Sequence, residues 1–285
     1  MKSGGIISLI LSVACIVAGC FLIYNIDESS DYDISSFNPN GQIDRAITLD
    51  AAIRSEASDN IVEDPNIGIL YLPYDYSLPA PESEAVDVSH FNKSVFIGDS
   101  RMLGLINYTD VEPINYCSVG FAVNEYDGRK FIRIDGENYS VKEALRKNDD
   151  FESVYIATGL NELGWSMNKF AEEYREMLAD IKAVAGERDI YIQLIMPVTS
   201  GFEKSRYMNP FKLKNSSVPK FNDKLREIAE EYKVFYLDCA DMFSLENGTL
   251  DQKKSSDGAH LTYAAYDELL EYYKTHVVKS KLRIA

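Results

Sequence analysis

Residues 94–105 read Ser-Val-Phe-Ile-Gly-Asp-Ser-Arg-Met-Leu-Gly-Leu. Val95, Phe96 and Ile97 form an unbroken β-branched and aromatic run, the pattern of a strand buried on both faces. The Gly-Asp-Ser turn leads into a helix whose amino end carries unpaired N–H groups and the positive end of the helix dipole. A serine at such a turn gains exposure, and those N–H groups would favour an oxyanion developing beside it. A Gly-Asp-Ser tripeptide alone is a common turn, so the surrounding sequence has to carry the reading.

Outward from this stretch the pattern repeats. Residues 113–118, 153–158, 189–195 and 234–237 are further continuous apolar runs of strand length. Between them, Ser140 with Glu143 makes a capping box for a helix to about residue 147, and Asn168 is placed to cap a long amphipathic helix to about 185. Pro219 suits the first turn of a helix ending near 232, and residues 262–279 read as the last helix. Five strands separated by helices call for an α/β fold: a five-stranded parallel sheet with helices on both faces, in three layers. Asp127-Gly128 and Asp135-Gly136 mark a small hairpin insertion after the second strand. Ligands of such folds bind beyond the carboxyl ends of the strands, so chemistry is sought just after each one.

There, besides Ser100, lie Gly120 after the second strand, Gly159-Leu160-Asn161-Glu162 after the third, and Asp257-Gly258-Ala259-His260 before the last helix. An Asp three residues before a His can accept the Nδ1 proton and leave Nε2 as a base toward a serine. Of the three histidines, His90 and His276 do not follow a strand, which leaves His260. Glycine permits close backbone approach and asparagine offers uncharged N–H donors, both suited to an oxyanion hole.

The ordered set Ser100, Gly120, Asn161 and His260, with Asp257 three before the histidine, resembles the four blocks of the SGNH/GDSL hydrolases, esterases and acylhydrolases on a flavodoxin-like α/β/α fold. The resemblance spans roughly residues 90–280. It implies Ser100 as nucleophile, His260 as general base and then acid, and Asp257 as the group orienting the imidazole. The Ser100 and Gly120 backbone N–H groups and the Asn161 side-chain amide would form the oxyanion hole. Two positions depart from the family pattern: Arg101 stands where leucine is usual, and Glu162 where aspartate is usual. The implied mechanism requires no cofactor, and the sequence shows no metal-ligand spacing and no dinucleotide fingerprint.

The 285 residues hold 29 Lys and Arg against 45 Asp and Glu, a net charge of −16, so nucleic acid is not an expected partner. The charge is uneven. Residues 27–89 carry fourteen acids against Arg45 and Arg54, a net of −12, whereas residues 90–285 carry a net of −5. With Pro65, Pro73, Pro79 and Pro81 in its second half, the 27–89 stretch reads as an acidic linker, in which the apolar residues 67–72 stand out as a possible arm against the domain. Ahead of it, residues 6–26 lack any charged side chain, and at about 1.5 Å per residue they reach roughly 31 Å, enough to cross a bilayer. Lys2 precedes this segment and acids follow it, an orientation that places the rest of the chain outside the cytoplasmic membrane.

The expected organisation is therefore a transmembrane anchor over 1–26, the linker over 27–89 and a hydrolase domain over 90–285. Val17-Ala18-Gly19-Cys20 also resembles a lipobox, with Cys20 as the lipidated residue; the apolar run continues past it, which favours an uncleaved anchor. An exported ester hydrolase would meet O-acetylated envelope or extracellular glycans. A lipid or thioester acylhydrolase, an O-acyltransferase and a catalytically idle glycan-binding module are the alternatives. Residues 197–217, with Phe202, Lys204, Arg206, Tyr207, Phe211, Lys212 and Lys214, read either as an aromatic and cationic rim to the site or as a solvated loop. Strand order 2-1-3-4-5 would put Cys117 and Cys239 toward opposite edges as separate buried thiols.

Overall fold

A computed structural model of the chain describes residues 62–64, 69–209, 212–279 and 282–284. The expected anchor and the first part of the expected linker lie outside the described residues, among which no helix is long and apolar enough to cross a membrane. The chain divides into two units, a small one drawn from its two ends and a larger one over Asp75–Val278. In the small unit, β1 (Val62–Asp64) and β2 (Ile69–Pro73) pair antiparallel, and the last strand, β10 (Leu282–Ile284), pairs antiparallel on the other side of β2. The apolar patch of the linker thus contributes a central strand.

In the large unit the continuous apolar runs become β3 (Ser94–Gly98), β4 (Ile114–Cys117), β7 (Ser153–Ala157), β8 (Asp189–Gln193) and β9 (Phe235–Leu237). They form one parallel sheet in the order β4-β3-β7-β8-β9. Counted within this sheet the order is 2-1-3-4-5, as expected. All five residues of β3 and of β7 are buried, and the two serines that begin them, Ser94 and Ser153, satisfy each other through a 2.8 Å hydrogen bond. Between β4 and β7, β5 (Ile132–Ile134) and β6 (Glu137–Tyr139) form the hairpin, turning at Asp135 and Gly136, both with positive φ.

Alternation along the strands sorts side chains onto two faces. One face carries Phe96, Tyr155 and Tyr191, with the Tyr155 and Tyr191 rings stacked at 4.6 Å and Tyr273 and Phe91 packed beside them. Tyr273 belongs to α7 (Tyr263–Thr275), which packs with α1 (Ser100–Tyr108). The other face carries Val95, Ile97, Val154, Ile156, Ile190 and Ile192. These lie in one cluster with the apolar sides of α2 (Val141–Lys147), α3 (Met167–Ala185) and α5 (Val218–Tyr232). Each fully buried aliphatic side chain of this kind is worth about 1.5–3 kcal/mol. Helices on both faces make the three layers.

Some boundaries differ from the sequence reading. The long helix α3 is capped by Ser166, whose hydroxyl accepts from the Lys169 N–H; Asn168 lies one residue inside the helix. Helix α7 ends at Thr275, four residues early, because the threonine hydroxyl turns back to the Glu271 carbonyl and His276 leaves helical geometry. The Asp75–Val278 unit also begins ahead of residue 90. Ala80 N–H donates to the Tyr236 carbonyl and Ser83 N–H to that of Thr275, so residues 75–89 cover the β9 edge and the end of α7. Cys117 ends one edge strand and Cys239 follows the other, both as buried free thiols.

Candidate active site

The elbow between β3 and α1 is tight because Gly98 has no side chain: a Cβ there would lie 2.5 Å from Met102 Cβ and 2.8 Å from the Ala157 carbonyl oxygen. Asp99 caps the helix, its Oδ1 accepting from the Arg101 N–H at 2.8 Å. Ser100 is thereby the first residue of α1, half-buried, where a backbone N–H has no intrahelical partner.

The 257–260 loop folds around one carboxyl. Asp257 Oδ1 accepts from the N–H groups of Ala259 at 2.9 Å and His260 at 2.8 Å, while Oδ2 lies 2.7 Å from His260 Nδ1. Burial pushes this carboxyl up, but its bonds to the His260 and Ala259 N–H groups and the His260 ring outweigh that and hold it below the usual range. Gly258, at φ +99°, makes the turn, and its carbonyl accepts from the Thr199 N–H. The Ser255 hydroxyl closes the loop, accepting from the Gly258 N–H and donating to the His260 carbonyl. His260 Nε2 then lies 2.8 Å from Ser100 Oγ. Three side chains separated by up to 160 residues form one continuous hydrogen-bonded chain.

Arg101, the first departure from the family pattern, points inward. It is 4% exposed, and its Nε donates to the Ala259 carbonyl at 2.7 Å, Nη1 to Met196 at 2.5 Å and Nη2 to Pro197 at 2.6 Å. It ties the segment after β8 to the residue preceding His260. Burial disfavours its charge, and the nearby Asp99 carboxyl opposes that effect. Sequence reasoning flagged the residue without finding its role, since its acceptors are backbone atoms that no motif encodes.

Gly120 has φ +69°, a conformation that favours glycine, and stands exposed at the end of a turn closed by Phe121 N–H to the Ser118 carbonyl. Arg129 braces this turn by donating to Ser118 Oγ at 3.0 Å and to the Val119 carbonyl at 3.2 Å. Asn161 Nδ2 donates to the Phe121 carbonyl at 2.9 Å, and an amide nitrogen has a second N–H to offer. Glu162, the second departure, is fully buried, with Oε1 accepting from the Val123 N–H at 2.8 Å.

The 197–217 segment divides into a part packed against the histidine loop and a part whose charged residues face solvent. Thr199 caps α4 (Ser200–Lys204), and Asn215, buried, pairs with both backbone groups of Val198. Its first residues hold the histidine loop, while Lys204, Arg206, Tyr207, Lys212 and Lys214 are exposed; Phe211 lies outside the described residues. His90 sits in the 3-10 turn Val88–Lys93, ahead of the amino end of β3, and His276 at the carboxyl end of α7; neither joins the Ser100 chain. Among the described residues no group of three His, Cys, Asp or Glu side chains is placed to hold a metal ion.

The family model for GDSL-like lipases and acylhydrolases matches residues 96–268. No curated protein matches the chain in sequence. Among solved structures, a Streptococcus pneumonia protein named after platelet activating factor is similar at 19% identity, covering 66% of this chain and 87% of its own, with a TM-score of 0.51. A GDSL-like lipase from Bacteroides thetaiotaomicron has 16% identity, coverage of 70% and 91%, and a TM-score of 0.49. A carbohydrate acetylesterase from Sinorhizobium meliloti has 13% identity, coverage of 64% and 95%, and a TM-score of 0.48. With the family model spanning more than half of its length, the chain belongs to the GDSL-like lipase/acylhydrolase family, whose enzymes hydrolyse esters.

Proposed function

We propose that this protein is a serine esterase, tethered outside the cytoplasmic membrane, that removes O-acetyl groups from envelope or extracellular glycans. The observation that carries the catalytic part is the position of His260, with Nδ1 on Asp257 at 2.7 Å and Nε2 on Ser100 at 2.8 Å. A serine hydroxyl is a weak nucleophile until a base takes its proton. In this reading Asp257 accepts the Nδ1 proton, so Nε2 is the base. Ser100 Oγ attacks the ester carbonyl, its proton passes to Nε2, and the same imidazolium protonates the departing sugar oxygen. Water, deprotonated by His260, then attacks the acetyl-serine; the acyl–Oγ bond breaks as Nε2 returns the proton to Ser100 Oγ, and acetate leaves. The tetrahedral oxyanion is held by the Ser100 and Gly120 N–H groups and the second N–H of Asn161, donors already fixed by the loops that carry them.

The location and substrate rest on the sequence: an uncharged 6–26 segment with Lys2 before it and acids after it, and a strongly acidic 27–89 stretch. Acidic charge beside an anionic membrane surface is repelled from it, which favours reach toward envelope polymer. Fluorophosphonate labelling of the purified protein, followed by acetate release from O-acetylated glycans and rates on esters of increasing acyl length, tests the proposal. Labelling that requires Ser100, together with preference for acetate, supports it. Folded protein that does not label overturns it, and preference for long acyl chains replaces the glycan with a lipid substrate.

A further inference from the structure

Two neighbouring residues of the loop after β7 grip two residues of the loop after β4. Asn161 Nδ2 donates to the Phe121 carbonyl at 2.9 Å, and Glu162 Oε1 accepts from the Val123 N–H at 2.8 Å. Phe121 directly follows Gly120 and Val123 lies two residues further on, so this double grip restrains the segment that carries the Gly120 N–H against the Asn161 amide. Glu162 has no exposed surface, and its second oxygen, Oε2, is buried with no hydrogen-bond partner within bonding distance among the described residues.

We propose that Glu162 is a positioning residue of the reaction: as a neutral carboxylic acid it clamps the 121–123 segment against Asn161 and so sets the spacing of the oxyanion-hole donors. The inference rests on the serine-esterase reading above. A carboxylate would leave a bare negative oxygen in the interior, the costliest form a buried polar group can take. Of the titratable groups facing it, Asp99 on the β3–α1 turn adds like charge, and Tyr174 on α3 is neutral. Burial, the largest influence, and the Asp99 charge push the Glu162 carboxyl up to about 8, against the N–H groups of Val123, Glu162 and Gly159, which oppose the rise. Below that pH the acid is protonated. Above it the clamp carries a buried charge that its backbone N–H partners do not fully offset, and the two loops relax apart to let water reach it.

The test is the pH dependence of kcat and KM for the full-length protein on a short-chain ester, for the unsubstituted protein, Glu162→Gln and Glu162→Asp. Unsubstituted protein should lose kcat above pH about 8, with KM little changed. The amide of Glu162→Gln keeps an acceptor for Val123 and cannot ionise, so its kcat should hold level through that range. The side chain of Glu162→Asp is one methylene short of Val123, and its kcat should fall about 100-fold at every pH, the scale of a catalytic group misplaced by about 1 Å. Fluorophosphonate labelling of Ser100 at pH 7 is read in parallel, and its absence from the unsubstituted protein would sink the serine-esterase reading. With labelling intact, three results overturn the clamp: a level unsubstituted profile to pH 9.5, an alkaline loss that persists in Glu162→Gln, or an unaltered kcat in Glu162→Asp. The first needs no variant to fold.

Discussion

The Nε of Arg101 donates to the carbonyl of Ala259 across 2.7 Å, so the residue that follows Ser100 holds the residue that precedes His260. Ser100 and His260 therefore meet through two links: their own hydrogen bond, and a buried guanidinium one position away on each side. The second link does not depend on the hydroxyl proton, and in the proposed reaction it would keep the imidazole aimed at Ser100 Oγ.

Arg101→Met should leave three carbonyls, Ala259, Met196 and Pro197, without their donor. Removing one member of a buried charged network costs about 3–5 kcal/mol, so thermal unfolding should shift well downward. Turnover should fall with it. Arg101→Lys retains the charge but has no planar fork to serve two segments at once, and should recover part of the stability and less of the turnover. Melting curves and kcat on a short-chain ester check both.

Gly258→Ala places a methyl group 2.8 Å from Thr199 Oγ1 and from Phe202 Cβ, at a φ of +99°. Gly248, at φ +74°, has nothing within 4 Å of its own missing Cβ. Gly248→Ala should therefore pay only backbone strain, about 1–3 kcal/mol. Gly258→Ala should destabilise more and, unlike its control, slow fluorophosphonate labelling, because the displaced residue sits between Asp257 and His260. Equal labelling rates in the two variants would contradict this.

Asp257→Asn replaces an acceptor for the His260 Nδ1 proton by an amide that can donate instead. The imidazole then turns toward the tautomer with its proton on Nε2, which cannot act as a base toward Ser100, and kcat should drop about 10³- to 10⁴-fold. Stability should follow the carboxyl's own titration. Since the folded protein holds it below the ordinary 3.8, the unsubstituted protein should exceed the variant in stability above that pH, and the gap should close as pH falls through the folded value. Urea denaturation at stepped acidic pH measures the gap.

Deleting residues 30–60 shortens the acidic stretch between the proposed anchor and the folded unit. In intact cells this should reduce deacetylation of envelope polymer and leave hydrolysis of a small soluble ester unchanged. Comparable loss on both substrates would count against a spacer role.

Much of the fold was legible because its signals are local. Strand burial on both faces shows as unbroken β-branched and aromatic runs, and the Ser140–Glu143 capping box starts its helix where it should. The Asp-Gly pair at 135–136 turns the hairpin for the same reason. Asn168 misled because capping depends on which of two nearby polar residues leaves helical geometry, and Ser166 does so first. Residues 75–89 misled because acidity and prolines resemble a spacer, while the contacts that order them, at Tyr236 and Thr275, lie more than 150 positions away.

The sequence alone determined the strand–turn–helix that presents Ser100 and the residue types at the end of each strand, since these follow from short-range pattern; the order of the strands came with the family resemblance. It also marked Arg101 and Glu162 as departures without a role. Only the tertiary structure decided what they do. Arg101 serves the backbone carbonyls of two distant segments, and Glu162 the backbone N–H of another. Backbone atoms are identical at every position, so a chain written as residue types cannot say which of them a buried side chain will meet.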